Sequence, residues 1–246
     1  PVETPPPVFQ TGKRDPWLLY AAAFASGFIF FVLELLWFRT SIPLLGGSVY
    51  NFGLILVMVL MGMSMGGLSY SVILKYVKPS YTLLGIISVL FALAIALPYL
   101  WGDGYARFCK VLQAGYMGYP FVGKLWVWFI IAGLLVLPAS IMAGIQFPLI
   151  LSLMGKGRHG VGKQIGRLYA FNTAGAVIGS ILGGFVFIPQ LSITHTWLFM
   201  IILALAIASV IACVAISMRA RLGGAITIGL SCGVLILALQ GSGLSP

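Results

Sequence analysis

Glu34 is the one carboxylate of this chain within a long apolar run, and it is the first residue whose type predicts chemistry. An ionisable side chain inside a lipid bilayer costs about 2.5–3.5 kcal/mol on insertion scales, so it requires water, protein or a partner around it. Arg39 is turned about 140° from it around a helix, which makes a direct pair within one helix awkward. Glu34 therefore predicts either a cation or proton site, or a structural partner of Arg39 or of a Tyr or Asn on a neighbouring helix. The structural role is favoured, because a single carboxylate is a sparse cation site.

A second group of polar residues opens the segment GRLYAFNTAGAVIGSILGGFVFIP, residues 166–189. Tyr169 and Asn172 are three residues apart and share one face of a helix. With Arg167 they could cap a substrate path, although Arg and Tyr are also ordinary anchors at a membrane interface, and anchoring is favoured for Arg167. The candidate intramembrane polar site comprises Glu34, Arg39, Tyr50, Tyr169 and Asn172.

The residues that usually hold metals or haem are poorly placed for it. His159 and His195 fall between apolar runs, whereas a membrane haem requires paired axial ligands deep within them. The three cysteines show no metal or redox spacing, and the methionines from Met58 to Met65 wind around a helix as adaptable packing does. We predict no cofactor, no metal site and no catalytic residue in this chain.

The composition is that of a membrane protein. Hydrophobic residues make up 61% of the 246 positions and charged residues 7%, whereas soluble domains carry about 25% charged residues. The net charge of +10 comes from basic residues in short gaps between apolar runs, where they meet lipid headgroups. This placement argues against a nucleic-acid partner and for the lipid bilayer.

Seven membrane-spanning helices are predicted from the charge-free apolar runs. They lie near residues 17–38, 49–74, 81–100, 125–154, 168–189, 196–218 and 222–239. The fourth is too long for one straight crossing, and Pro138 and Pro148 predict a kink or break in it. Pro189 and the polar run 190–196 separate the fifth from the sixth. Residues 1–16 are expected to be a flexible Pro-rich tail, 17–240 the transmembrane domain and 241–246 a linker-like end.

Basic residues predict the orientation, because they accumulate on the cytoplasmic side. One side holds ten of the fourteen: Lys13, Arg14, Lys75, Lys78, Lys156, Arg158, Lys163, Arg167, Arg219 and Arg221. The other side holds four: Arg39, Arg107, Lys110 and Lys124. We therefore expect a multi-pass protein of the cell inner membrane with a cytoplasmic N-terminus and with Pro246 outside.

Glycines at intervals of four residues predict faces for close helix packing. The predicted packing positions are Gly62, Gly66, Gly175, Gly179 and Gly183. The two glycine-rich helices also open alike, with GSVYNF at 47–52 and GRLYAF at 166–171. This echo predicts two inverted three-helix repeats, a transporter-like plan, although glycine-rich helices also resemble one another by composition alone.

Two stretches resemble the multi-pass membrane region of spermidine-synthase-like proteins, which has major-facilitator-like helices. They are SGFIFFVLELLWFRTSIPLLGGSVYNFGLILVMVLMGMSMGG and AGIQFPLI followed by GRLYAFNTAGAVIGSILGGFVFIPQL. The resemblance covers roughly residues 22–215. It implies that an aminopropyltransferase-like domain with a Rossmann-like fold, which would bind decarboxylated S-adenosylmethionine and putrescine, usually follows. These residues contain no βαβ pattern or Gly-rich loop of that kind, so whether the protein is an enzyme stays open.

Three functions are compatible with these features. The chain is expected to be a noncatalytic membrane domain or accessory subunit resembling the membrane region of spermidine-synthase-like proteins. The alternative is a transporter-like module for a small cationic or polar substrate such as a polyamine. A structural subunit of a larger membrane complex, with other membrane subunits as partners, is compatible with the first.

Overall fold

The computed structural model describes residues 16–115, 121–154, 161–217 and 220–241, and these are helical with no β-strand. The helices are α1 (Trp17–Leu45), α2 (Val49–Tyr76), α3 (Tyr81–Trp101), α4 (Asp103–Ala114), α5 (Phe121–Met154), α6 (Val161–Leu182), α7 (Ile188–Ser217) and α8 (Arg221–Gly241). A π-helical turn, Gly183–Phe187, joins α6 to α7. The predicted tail up to Asp15 and the linker-like end from Ser242 lie outside the described residues.

Six helical segments in the described ranges are long and apolar enough to cross a membrane. They are Trp17–Leu45, Val49–Ile73, Tyr81–Trp101, Gly123–Met154, Gly162–Ser217 and Arg221–Gln240. The chain is therefore an all-α, multi-pass integral membrane protein, and the prediction of a membrane helix bundle is confirmed at this level.

The first corner of the bundle is fixed by an asparagine. Helix α1 runs past the predicted end at Phe38 and ends at Gly46, whose φ of 83° suits glycine. The fully buried Asn51 of α2 donates its side-chain amide to the Gly46 carbonyl oxygen at 2.8 Å and to the Ser41 hydroxyl at 2.9 Å. These bonds satisfy polar groups that would otherwise be exposed to hydrocarbon.

The long fourth run forms one helix, because α5 continues through both Pro138 and Pro148. The predicted break is therefore wrong, whereas the alternative of a kink stays a prediction. Membrane helices tolerate proline where neighbouring helices surround the freed backbone groups. At 34 residues α5 is longer than the roughly 20 residues that a perpendicular crossing needs, so it is tilted or extends beyond the bilayer.

The chain reverses direction at Ser192. This residue has the non-helical angles φ 69° and ψ 167° within the 56 residues of the segment Gly162–Ser217. The Phe187 ring, before the reversal, lies 6.1 Å from Phe28 and 5.5 Å from Phe199, after it. The two arms therefore pack against each other next to Phe28 of α1. Ser192 falls inside the run 190–196 that the sequence marks as a break.

Helices α1, α3, α5 and α7 form the interior, which contains two apolar clusters. One includes Trp37, Ile95 and Ile131, and the other includes Leu84 and Leu149. Helix α2 packs on α5, α6 packs on α1, and α8 packs on α3 and α7. Only 28% of the apolar windows of α2 and α8 is buried within the bundle, so most of their side chains face lipid.

Candidate functional site

Three buried polar side chains meet where α1, α3 and α5 come together. The Ser26 hydroxyl of α1 donates to Gln146 Oε1 of α5 at 3.4 Å, and Gln146 Nε2 donates to the Ser88 hydroxyl of α3 at 3.0 Å. The Ser88 hydroxyl in turn donates to the Leu84 carbonyl oxygen. Gln146 is only 4% exposed, so its amide depends on these partners. We call these three residues the polar junction.

A small cavity adjoins the polar junction. The cavity has a volume of about 10 Å³. Ala204 and Ile207 of α7 complete its wall. That volume is close to the minimum for one water. One amide N–H of Gln146 is unused by the bonds described above and can donate to a bound molecule. The junction contains donors and acceptors but no ionisable group, so it suits an uncharged polar molecule.

Glycines bring the backbones of α1 and α6 into contact. A Cβ on Gly179 would lie 2.5 Å from the Phe28 carbonyl oxygen, and one on Gly175 would overlap that of Phe24. Gly183 faces Val32 one turn further on. Because the contacts advance in the same direction along both helices, α1 and α6 are parallel. Contacts this close require the absence of a side chain.

Helices α2 and α5 make the second close pair. A Cβ on Gly62 would lie 2.5 Å from Ser140 Cβ, and one on Gly66 would lie 2.8 Å from Gly144 Cα. One on Gly144 would overlap the Met63 carbonyl oxygen. These contacts also advance together, so α2 and α5 are parallel.

The residues of the predicted intramembrane polar site are spread over three helices. Glu34 is half-buried and Arg39 exposed on α1, and the two make no ion pair within the described part of the chain. Tyr50, at the start of α2, is 69% exposed. On α6, Tyr169 packs its ring 5.0 Å from Phe147, and Asn172 is half-buried.

Asn172 belongs to the helix contact. Its backbone carbonyl oxygen and its Oδ1 both lie against Gly27 of α1, with Oδ1 3.0 Å from where a Cβ would be. The polar start of α6 therefore packs against the glycine face of α1. Glu34 lies two turns beyond Gly27 on the same side of α1, since seven residues make almost two full turns.

The reversal at Ser192 is held by short-range hydrogen bonds and by one long-range bond. The Thr196 hydroxyl donates to the Ser192 carbonyl oxygen at 2.6 Å, and Ser192 Oγ lies 3.1 Å from His195 Nδ1. The buried Trp197 donates its indole N–H to the Ile95 carbonyl oxygen of α3 at 2.9 Å. His195 lies exposed at this corner.

Sequence reasoning missed the polar junction. Gln146 is the only amide in the apolar run 125–154 and is the signal that could have found it, because an amide there needs partners in lipid. Ser26 and Ser88 carry no such signal, since a serine in a membrane helix commonly bonds to its own backbone. In the described residues no group of three or more His, Cys, Asp or Glu is placed to hold a metal ion.

Comparisons with protein-family models, with curated proteins and with solved structures found no match to this chain. Its function is therefore inferred from the residues and contacts described above.

Proposed function

We propose that this chain is a noncatalytic membrane domain or accessory subunit, similar to the membrane region of spermidine-synthase-like proteins. This proposal depends on the backbone-to-backbone packing in the two helix pairs. Gly175 and Gly179 of α6 pack against the backbone of α1, and Gly66 of α2 packs against Gly144 of α5. Sliding or separating such helices would break close van der Waals contacts, and these contacts are a main source of helix association in lipid. This rigidity suits a scaffold.

In this proposal the chain crosses the inner membrane seven times, with the N-terminus in the cytoplasm. The reversal at Ser192 supports it, because it divides the 56-residue segment into two arms of crossing length. The parallel packing of α1 with α6 and of α2 with α5 is compatible with it. With seven crossings and α4 outside the membrane, each of these pairs runs in the same direction.

The helix pairs are also those that two inverted three-helix repeats would make. If α5, α6 and α7 repeat α1, α2 and α3, exchanging the repeats turns the pair α1–α6 into the pair α5–α2. Both pairs are the most extensive in the bundle, and both depend on glycine. The same exchange leaves the pair α3–α7 unchanged, because each of the two helices takes the place of the other. Three crossings per repeat make the second repeat inverted in the membrane.

The polar junction favours a scaffold over a polyamine carrier. Its cavity has room for about one water, and its three side chains are uncharged. A polyamine carries several positive charges, which would be costly to bury there without a carboxylate.

Uptake into liposomes tests this proposal. We expect the purified chain, reconstituted into liposomes, to take up no more labelled putrescine or spermidine than empty liposomes do. After mild cross-linking of the native membrane, we expect it to be joined to aminopropyltransferase activity, either on its own polypeptide or on a partner subunit. Uptake of either polyamine, or the absence of that activity from the cross-linked material, overturns the scaffold proposal.

The polar junction itself favours a second candidate, a carrier of a small uncharged polar molecule. It lies where α1, α3, α5 and α7 meet, and carriers built from inverted repeats bind substrates between the repeats. Gln146→Leu should then abolish uptake of the carried molecule, whereas Gln190→Leu at the exposed corner should leave it intact. Labelled urea and glycerol, which are small, polar and uncharged, provide the measurement, and no uptake of either excludes this candidate for the molecules tested.

A further inference from the structure

Helix α4 is an amphipathic helix fastened across one end of the bundle. The buried Tyr105 donates its hydroxyl to the Ile131 carbonyl oxygen of α5 at 2.9 Å. Gln113, about two turns further along the helix, donates to the Leu44 carbonyl oxygen near the end of α1 at 2.7 Å. Cys109 is fully buried between them. These hydrogen bonds fix which side of the helix faces outward.

The outward side of α4 carries positive charge. Arg107 and Lys110 are exposed, and at about 100° per residue both lie on the side opposite Tyr105. Arg107 Nε donates to the Asp103 backbone carbonyl oxygen at 3.4 Å, and the two terminal nitrogens of its guanidinium make no hydrogen bond to the described residues. Asp103 is the one acidic residue of α4, against these two bases.

Aromatic rings flank the charged side. Trp101, at the end of α3, stacks on Phe108 with ring centres 5.6 Å apart, and both rings are exposed. Val111, one turn beyond Arg107, is 73% exposed. Tryptophan and other amphipathic groups at the end of a membrane span favour the headgroup level, where one side is apolar and the other is wet.

We propose that α4 binds anionic phospholipid headgroups, with Arg107 and Lys110 contacting the phosphates and Trp101 and Phe108 entering the acyl boundary. The two bases match the negative charge of the phosphates, and the aromatic pair matches the partly apolar boundary between the headgroups and the acyl chains. The hydrogen bonds of Tyr105 and Gln113 hold the helix in place without the lipid, so the lipid meets a preformed surface. The anionic lipid thereby stabilises the end of the bundle at which α1, α3 and α5 meet.

Local quenching by spin-labelled lipid tests the proposal. A fluorophore is attached at Ala114→Cys, on the exposed side of α4, in the full chain with Cys213 and Cys232 replaced by serine. The chain is placed in phosphatidylcholine bilayers that contain either spin-labelled phosphatidylglycerol or spin-labelled phosphatidylcholine. We expect stronger quenching by phosphatidylglycerol, with a local preference of about fivefold per basic residue.

Charge variants separate this site from general attraction to a basic protein. Arg107→Gln with Lys110→Gln should bring the preference close to one, whereas Lys124→Gln, at the start of α5, should keep it. Exchange of the two bases, Arg107→Lys with Lys110→Arg, should also keep it, because both positive charges stay in place. Equal quenching by the two lipids in the parent chain, or a preference that survives the double glutamine variant, overturns the proposal.

Discussion

Gly66 of α2 and Gly144 of α5 face each other with their backbones in contact. A Cβ added to Gly66 would lie 2.8 Å from the Cα of Gly144 and would overlap the Ile141 carbonyl oxygen. The next residue, Gly67, has no neighbouring atom within 4 Å of an added Cβ. Two adjacent glycines therefore have different roles, one as a contact between helices and one facing open space.

Alanine substitutions at this pair test the packing with a matched control. Gly66→Ala should destabilise the bundle by about 1–3 kcal/mol, because the added methyl group forces two backbones apart. Gly67→Ala should be neutral or stabilising by about 0.5–1 kcal/mol, because alanine is the better helix former. Thermal unfolding in detergent measures both, and equal effects at the two positions would show that α2 does not pack on α5 as described.

The helix pair α1–α6 should respond in the same way. Gly179→Ala is expected to lower the unfolding temperature, since its Cβ would lie 2.5 Å from the Phe28 carbonyl oxygen. Gly166→Ala, on the same helix but with no atom within 4 Å, is the control. Gly179→Leu should cause a larger loss, of folded protein or of a bound partner. If Gly179→Leu leaves both assembly and stability unchanged, this face of α6 is exposed to lipid.

Cysteine labelling tests the reversal at Ser192 together with the orientation. With seven crossings and a cytoplasmic N-terminus, cysteines at Gly115 and Thr194 should react with an impermeant maleimide added to intact cells, and one at Gly160 should not. Gly160 lies outside the described residues, so its side is predicted from the basic residues alone. If the cysteine at 115 reacts and the cysteine at 194 does not, the reversal is contradicted. If the cysteine at 160 reacts and the cysteine at 115 does not, the orientation is contradicted.

Substitutions of Glu34 distinguish a structural carboxylate from a transport site. We expect Glu34→Gln to be nearly silent, because an amide keeps the shape and most of the hydrogen bonding. If Glu34 is a structural partner of another polar group, Glu34→Leu should destabilise the protein, since it leaves that group unsatisfied in hydrocarbon. Unfolding temperature and polyamine binding or uptake in liposomes are the measurements. A folded Glu34→Gln protein that has lost binding or uptake identifies the charge itself as functional.

Cys109 on α4 should be unreactive in the folded protein. Burial raises the pKa of its thiol above the ordinary value of 9.0, and burial likewise raises the pKa of Tyr105. In the folded protein both groups favour the protonated form. Their contribution to stability is therefore complete at a pH below the pKa that they have in the unfolded chain. It is lost as the pH rises through the higher pKa that they have in the folded protein. Stability should therefore fall above about pH 9. Alkylation of Cys109 should be slow in the folded protein and should accelerate when the protein unfolds. The substitution Cys109→Ala should reduce the loss of stability at alkaline pH.

Local chemistry accounts for the features that the sequence predicted. Apolar runs of crossing length can form only helices in a bilayer, because every backbone polar group must be satisfied within the segment. Glycines spaced by four residues form a smooth face on any helix, and Gly62, Gly66, Gly175 and Gly179 all lie in close contacts. The polar run after Pro189 marked the place where Ser192 leaves the helical conformation.

The choice of partners was decided only in the tertiary structure. All faces of a membrane helix are apolar, so no pattern of hydrophobicity states that α1 packs on α6 and α2 on α5. Gly144 and Gly27 complete these contacts without a repeating signal of their own. Ser26, Ser88 and Gln146 are single polar residues far apart in the chain, and their meaning depends on the three helices meeting at one depth. Hydrogen bonding between helices, unlike span length, is a property of their arrangement in three dimensions.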